Sequence, residues 1–215
     1  MIIEADSIEL TYGLKKVLNS VYLRVETGKI TGLLGRNGSG KSSLFNVLFG
    51  NKKAQNQHIK VNQKVCTKPL YISKRIAYLP QTQLLPKHIS IKNAFKLYEV
   101  SLELFTKDFP DLKIEHNNNV SRLSGGERRI IEIYLILKSN TDFIILDEPF
   151  NHLSPLYVEK FESLFNEEKQ HKAILISDHI FRPILRLSDT LYFLDKGNMK
   201  LINSENELKD LQYFY

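Results

Sequence analysis

Residues 35–42 read Gly-Arg-Asn-Gly-Ser-Gly-Lys-Ser, and this octapeptide constrains the chain more tightly than any other stretch. Gly35, Gly40, Lys41 and Ser42 fit the pattern GxxxxGK[ST] in full. A loop of this kind turns backbone N–H groups inward onto phosphate oxygens, where a Cβ would collide. It needs a strand before it and a helix after it, so that the helix aims its positive end at the same anion. The flanks comply: 29–34 reads as a strand and 41–49 as a helix. The motif assigns Lys41 to the β- and γ-phosphates and the Ser42 hydroxyl to Mg²⁺. Asn37, Gly38, Ser39 and Ser43 complete the cradle.

Short apolar runs alternate with helical stretches along most of the chain, the pattern of an α/β sheet covered by helices. Segments 142–146 and 173–177 are apolar and rich in β-branched residues, as buried parallel strands are. The first ends in two acids, Asp147 and Glu148. Ligands sit at the carboxyl ends of parallel strands, so Asp147 is placed to serve the Mg²⁺ shell and Glu148 to act as general base on a water. A third segment, Leu123-Ser124-Gly125-Gly126-Glu127, opens a largely apolar helix over 126–137. Taken alone it reads first as an ordinary helix N-cap by Ser124 and second as an anion site.

The rest is less regular. Residues 51–75 are polar, rich in Lys, Asn and Gln, with brief strand signals. Residues 87–122 read as mainly helical, with a loop at 117–119, and 204–211 as a final helix with capping-box spacing. The expected organisation is one domain over 1–215 with a helical subdomain at about 87–139.

Composition narrows the function classes. With 42% hydrophobic residues among 215, a full core is available and disorder is excluded. The single cysteine, Cys66, rules out an internal disulfide and suits a reducing compartment. No signal-peptide pattern is expected at the start, and no apolar run approaches the ~20 residues that span a bilayer. The net charge of +6 is spread without a polybasic block, which weighs against nucleic acid as the partner.

Taken together, GRNGSGKS, LSGGE and ILDEP resemble the ATP-binding cassette (ABC) superfamily, and the likeness runs over almost the whole chain. It implies a P-loop NTPase fold of the ABC type, with a mixed β core and an inserted helical subdomain. It implies ATP and Mg²⁺ as ligands, with Tyr12 stacking on adenine, Gln81 touching Mg²⁺ and water, and His179 contacting the γ-phosphate. It further implies two cassettes paired head to tail, so that Ser124, Gly125 and Gly126 of one chain close over the nucleotide held by 35–42 of the other. A separate integral membrane permease would complete a transporter, with the cassette in the cytoplasm at the inner face of the cell membrane. Its docking groove is expected near Gln81 and residues 82–100. A soluble ABC ATPase without a transport role, either an assembly scaffold or a nucleic-acid-associated member, is the competing reading. A non-hydrolysing nucleotide sensor is disfavoured by the intact Glu148. One departure stands out: Asn151-His152-Leu153-Ser154 carries Ser154 where the family places an acid.

Overall fold

The computed structural model describes residues 1–179 and 181–210. Two sheets organise them. Strands β1 (Ile2–Tyr12) and β2 (Lys15–Glu26) form an antiparallel pair, extended by β4 (Asn56–Val61) and β5 (Lys64–Val65) in the order β2-β1-β4-β5. The second sheet contains β3 (Ile30–Leu34), β6 (Ile76–Leu79), β7 (Phe143–Asp147), β8 (Ala173–Ser177), β9 (Thr190–Asp195) and β10 (Asn198–Ile202). Its order is β10-β9-β3-β8-β7-β6, parallel throughout except for the β9–β10 pair. The fold is therefore α/β with a mixed β core, as the sequence implied.

The continuous apolar strands follow from burial on both faces. Along β7, Ile144 and Leu146 enter one core while Phe143 and Ile145 enter another; β8 splits in the same way. The second core lies between the two sheets and encloses helix α1 (Lys41–Phe49) through Leu44, Phe45, Val47 and Leu48. The first core is roofed by helices α4 (Gly125–Lys138), α5 (Pro155–Glu168) and α6 (Phe181–Leu187). Because β3, β8, β7 and β6 are adjacent and parallel, residues 35, 178, 148 and 81 follow the carboxyl ends of four neighbouring strands, with Asp147 the last residue of β7.

Residues 87–122 are less helical than their composition suggests. Only α2 (Ile91–Leu97), α3 (Leu102–Asp108) and one 3₁₀ turn (Val120–Arg122) form there. Glu99 adopts a left-handed φ of 56° just past α2, and Pro110 cannot continue α3. The remaining loop folds back on 87–92, with Ile91 N–H donating to Asn118 O and Val120 N–H to Ile89 O. Aromatic contacts then carry the segment into the first core: Phe95 lies 5.1 Å from Phe105, and Phe105 lies 5.0 Å from Tyr134 of α4. The last helix, α7 (Glu205–Asp210), forms where expected; Leu211 lies outside the described residues.

Helix α6 sits so close to β3 that position 32 has no room for a side chain. A Cβ on Gly32 would come within 2.0 Å of Ser188 Oγ and 2.8 Å of Ile184 Cγ2. Overpacking of this kind costs about 1–3 kcal/mol. Gly32→Ala should lower the urea midpoint accordingly without changing the slope of the transition. An unchanged midpoint would show that α6 is free to move away.

Candidate active site

The loop between β3 and α1 is shaped by glycines that nothing else can replace. Gly40 is the N-cap of α1 with a φ of 112°, and no side chain caps the helix. The first N–H groups of α1 are therefore left to an external acceptor. Gly35 is confined: a Cβ there would lie 2.4 Å from the Leu194 carbonyl and 2.7 Å from Ser39 Oγ. Ser39 is buried, and its hydroxyl has no hydrogen-bond partner among the described residues. A buried hydroxyl without a partner beside open N–H groups fits an anion with several acceptor oxygens.

Above the loop lies a cavity of about 400 Å³ lined by Tyr12, Asn37, Gly38, Gly40, Lys41, Ser42, Ser43, Gln81 and Glu148. Lys41 is buried and donates to the Gly35 carbonyl (2.7 Å) and the Arg36 carbonyl (3.3 Å). Burial pushes its pKa below the usual lysine value, against the pull of Glu148, Asp147 and Asp178. Tyr12 closes β1 at the cavity wall, and Lys52 Nζ sits 4.7 Å from its ring centroid.

Asp147 and Glu148 face different partners. Asp147 is buried; its carboxylate accepts from Ser177 Oγ (3.1 Å) and Tyr78 OH (3.2 Å) and is hydrogen-bonded by Ser42. Burial raises its pKa, and these three hydroxyls partly offset the rise. Glu148 has a left-handed φ of 48°, with its N–H on the Ser177 carbonyl. Its Oε2 accepts from Gln81 Nε2 (2.7 Å) and Asn151 Nδ2 (2.9 Å) and lies 3.6 Å from His179 Nδ1. His179 is half exposed and also lies 3.3 Å from Asp178 Oδ1.

Thus one site gathers Tyr12, the loop, Gln81, Asp147, Glu148 and His179. It leaves out Ser124, Gly125 and Gly126, which start α4 and do not line the cavity. Ser124 is an N-cap within a full capping box: its Oγ accepts from Glu127 N–H (3.2 Å), and Glu127 Oε2 accepts from Ser124 N–H (2.8 Å).

A family model described as ABC transporter matches residues 18–151. The chain belongs to the ABC transporter ATPase family. A probable ABC transporter ATP-binding protein of Azorhizobium caulinodans is 32% identical over 88% of this chain and 72% of its own length. The lipopolysaccharide export system ATP-binding protein LptB of Escherichia coli is 30% identical over 91% of this chain and 87% of its own. A solved ATP-binding cassette of an ABC transporter, in its ADP conformation, superposes with a TM-score of 0.78 at 26% identity, covering 97% and 93% of the two chains. The chain is thus an ATPase of the kind that serves transporters.

The cassette also contains two residues that motif reading passes over. Arg129, one turn into α4, is buried and donates to four carbonyls: Pro149 (3.1 Å), Pro80 (2.9 Å), Asp147 (2.9 Å) and Glu148 (2.8 Å). Glu132, one turn on, lies 3.6 Å from Arg129 and accepts from the N–H groups of Leu84 (2.9 Å) and Leu85 (3.0 Å). The pair binds the segment after Gln81 to the backbone of Asp147 and Glu148. The available signal was an Arg and a Glu three apart inside an apolar helix, where both had to be buried. Arg129→Met strands the Glu132 carboxylate and should cost about 3–5 kcal/mol. Arg129→Met with Glu132→Met should recover part of that stability but not the rate of phosphate release. Urea unfolding and a phosphate assay separate the two; full recovery of the rate would show that the clamp serves stability alone.

Proposed function

We propose that this cassette hydrolyses ATP to energise a separate integral membrane permease, working as one of two paired cassettes. The observation that carries the hydrolytic part is the convergence of Gln81 and His179 on Glu148 Oε2 at the mouth of the phosphate loop. Glu148 is the general base that takes the proton of the attacking water. Gln81 and His179 orient that water and the γ-phosphate, and Lys41 leaves the loop carbonyls for the β- and γ-phosphate oxygens. Tyr12 stacks on the adenine, while Asn37, Gly38, Ser39, Gly40 and Ser43 hold the phosphates.

The residues fit Mg²⁺. Ser42 and Asp147 present a hydroxyl and a carboxylate side by side, hard oxygens of the kind this ion takes one or two of from protein; Gln81 is the third contributor. When bound, the ion neutralises charge on the phosphate oxygens. Its charge also reverses the effect of burial on Asp147, favouring the ionised carboxylate.

Pairing is supported by what the site lacks. Ser124, Gly125 and Gly126 lie away from the cavity of their own chain and are exposed or half-buried, available to a nucleotide held by a second cassette. ATP that bridges two chains favours the closed pair, and hydrolysis removes the bridge. Ser154 is exposed, so an uncharged hydroxyl stands where the family places an acid, in a segment that would cross that interface.

Among the described residues no helix is long and apolar enough to cross a membrane. A groove lined by Phe49, Tyr78, Pro80, Gln81, Thr82 and Leu84 is the place for a short permease helix to dock. Relatives that serve lipopolysaccharide export and other transporters support the transport reading.

Glu148→Gln should lower phosphate release about 10²–10⁴-fold while retaining ATP binding. Purified from detergent-solubilised membranes of its host with Mg-ATP, the variant should carry an integral membrane protein at stoichiometric yield. Recovery only from the soluble fraction, with soluble partners, would favour an ABC ATPase without a transport role. Equal inactivity of wild type and variant, with the partner supplied, would refute hydrolysis.

A further inference from the structure

The positive charge of this protein is not evenly carried. Residues 51–75 contain seven Lys and Arg and no Asp or Glu, against a net charge of +6 for the whole chain. Everything outside this segment is therefore net negative by one. The segment forms β4, β5 and the 3₁₀ turn Leu70–Ser73, with β5 at the edge of its sheet. Some lysines elsewhere are paired, as Lys138 and Lys172 are with Glu168 and Lys169 is with Asp189, while others, such as Lys92 and Lys107, are exposed without an ion pair among the described residues; what sets 51–75 apart is that it contains no acid. Here Lys53, Lys64, Lys68 and Lys74 are exposed and form no ion pair among the described residues. Arg75 is held by Asp142, and Lys52 is turned toward Tyr12.

Apolar groups lie among these cations. Tyr71 and Ile72 are adjacent in the turn and 45% and 52% exposed, between Lys68 and Lys74 in sequence. Lys53 and Lys68 line one groove of about 240 Å³ together with Gly50 and Pro69. Gly50 is pressed against Pro69 and Tyr71. The turn is firmly held: Ser73 Oγ donates to the Leu70 carbonyl (2.7 Å), and Lys74 N–H donates to the Tyr71 carbonyl (3.1 Å). Exposed Tyr and Ile beside unpaired lysines match the boundary between lipid headgroups and acyl chains, where aromatic rings settle and ammonium groups meet phosphate.

Position favours the same partner. Tyr71 lies 5.7 Å from Phe49, and Phe49 lies 5.5 Å from Tyr78. Phe49 and Tyr78 line the groove beside Gln81 that we assign to the permease. The basic face is thus continuous with the side of the cassette turned toward the membrane subunit.

We propose that the surface formed by Lys53, Lys68, Lys74, Tyr71 and Ile72 rests directly on the anionic headgroups of the membrane beside the permease. Lipid contact orients the cassette and raises the local concentration of its docking groove. The proposal builds on the transport reading, but its test is separate.

The full chain is sedimented with vesicles of phosphatidylcholine, with and without roughly 30% phosphatidylglycerol, at about 0.15 M salt. Binding is expected only with phosphatidylglycerol, and it should vanish at about 0.5 M salt. Each lysine at such a surface contributes roughly fivefold. Lys53→Glu, Lys68→Glu and Lys74→Glu together should weaken binding by about 100-fold or more. Ile72→Ser alone should weaken it several-fold. All variants should release phosphate at the wild-type rate in detergent, which also establishes that they are folded. Binding equal on both vesicles, or unchanged in the triple variant, would overturn the proposal. So would tighter binding to a duplex oligonucleotide than to the anionic vesicles at the same salt, which would assign the surface to nucleic acid. A permease that co-purifies with a chain blind to phosphatidylglycerol sinks the lipid surface alone. Vesicle binding without a permease sinks the transport reading alone.

Discussion

Four carbonyl groups from two separate segments converge on the guanidinium of Arg129, and the geometry of the candidate site hangs on that convergence. Where β6 and β7 leave their sheet, the ladder stops supplying donors, yet the carbonyls of Pro80, Asp147, Glu148 and Pro149 need partners. A guanidinium has five donors in a fixed fork and no ordinary deprotonated state, so one side chain can satisfy several of them at once. Burial disfavours its charge, and Glu132 counters that cost from the next turn. The left-handed backbone of Glu148 is held from both sides, by Arg129 on its carbonyl and by the Ser177 carbonyl on its N–H. A strained φ at the proposed base persists because its surroundings leave it no alternative.

The sequence exposed those parts of this arrangement whose physics is local. The strand–loop–helix over 30–49 follows from apolar spacing and from glycines at positions where nothing larger fits. The cap read at Ser124 obeys a short-range rule and accepts the N–H three residues on; Ser90 and Ser101 cap α2 and α3 in the same way. Long-range features were not legible in the same way. Nothing in a string places Lys52 over Tyr12, or shows that 114–120 folds back on 87–92 instead of continuing as helix. There the apolar residues Phe95, Phe105 and Phe109 are spent on a tertiary aromatic cluster, and tertiary packing overrides the local preference for helix. Arg129 and Glu132 fall between the two cases. Their i,i+3 spacing inside a buried helix was an available signal that motif reading passed over, and only the fold identifies the carbonyls and N–H groups they serve.

The two sheets divide the labour by burial. The parallel sheet is covered on both faces and fixes the strand ends that carry Asp147, Asp178 and the loop at 35–42. The antiparallel sheet is covered on one face only. Its inward residues Ile3, Ala5, Ile8 and Leu10 pack over α1, while its edge and the turn beyond stay open to solvent. A mutation in the parallel sheet therefore reaches Asp147 and the proposed base Glu148 through short, stiff connections. Of the unpaired lysines of 51–75, Lys64 lies on the edge strand β5 and Lys53, Lys68 and Lys74 lie in the loops around the antiparallel sheet and its following turn, where exposed positions are free to answer to a partner without disturbing the phosphate loop.

The same separation bears on Ser154. An acid at that position would offer charge at the proposed interface, and the serine does not even cap α5 with its side chain. Yet the links from the Glu148 carboxylate to the neighbouring segments bypass it. Asn151 donates to Glu148 Oε2, Phe150 N–H donates to the buried Asp178 carboxylate, and Gly126 leaves only 3.1 Å between its missing Cβ and the His152 carbonyl. His152 itself holds a left-handed φ of 65°, so this contact is built into the turn. Glu148, the 150–152 turn and the start of α4 therefore form one continuous contact path within a single chain. An uncharged residue at 154 leaves that internal path whole, whatever it contributes across the proposed pair. The path from Glu148 through the 150–152 turn to α4 thus does not depend on a charge at 154.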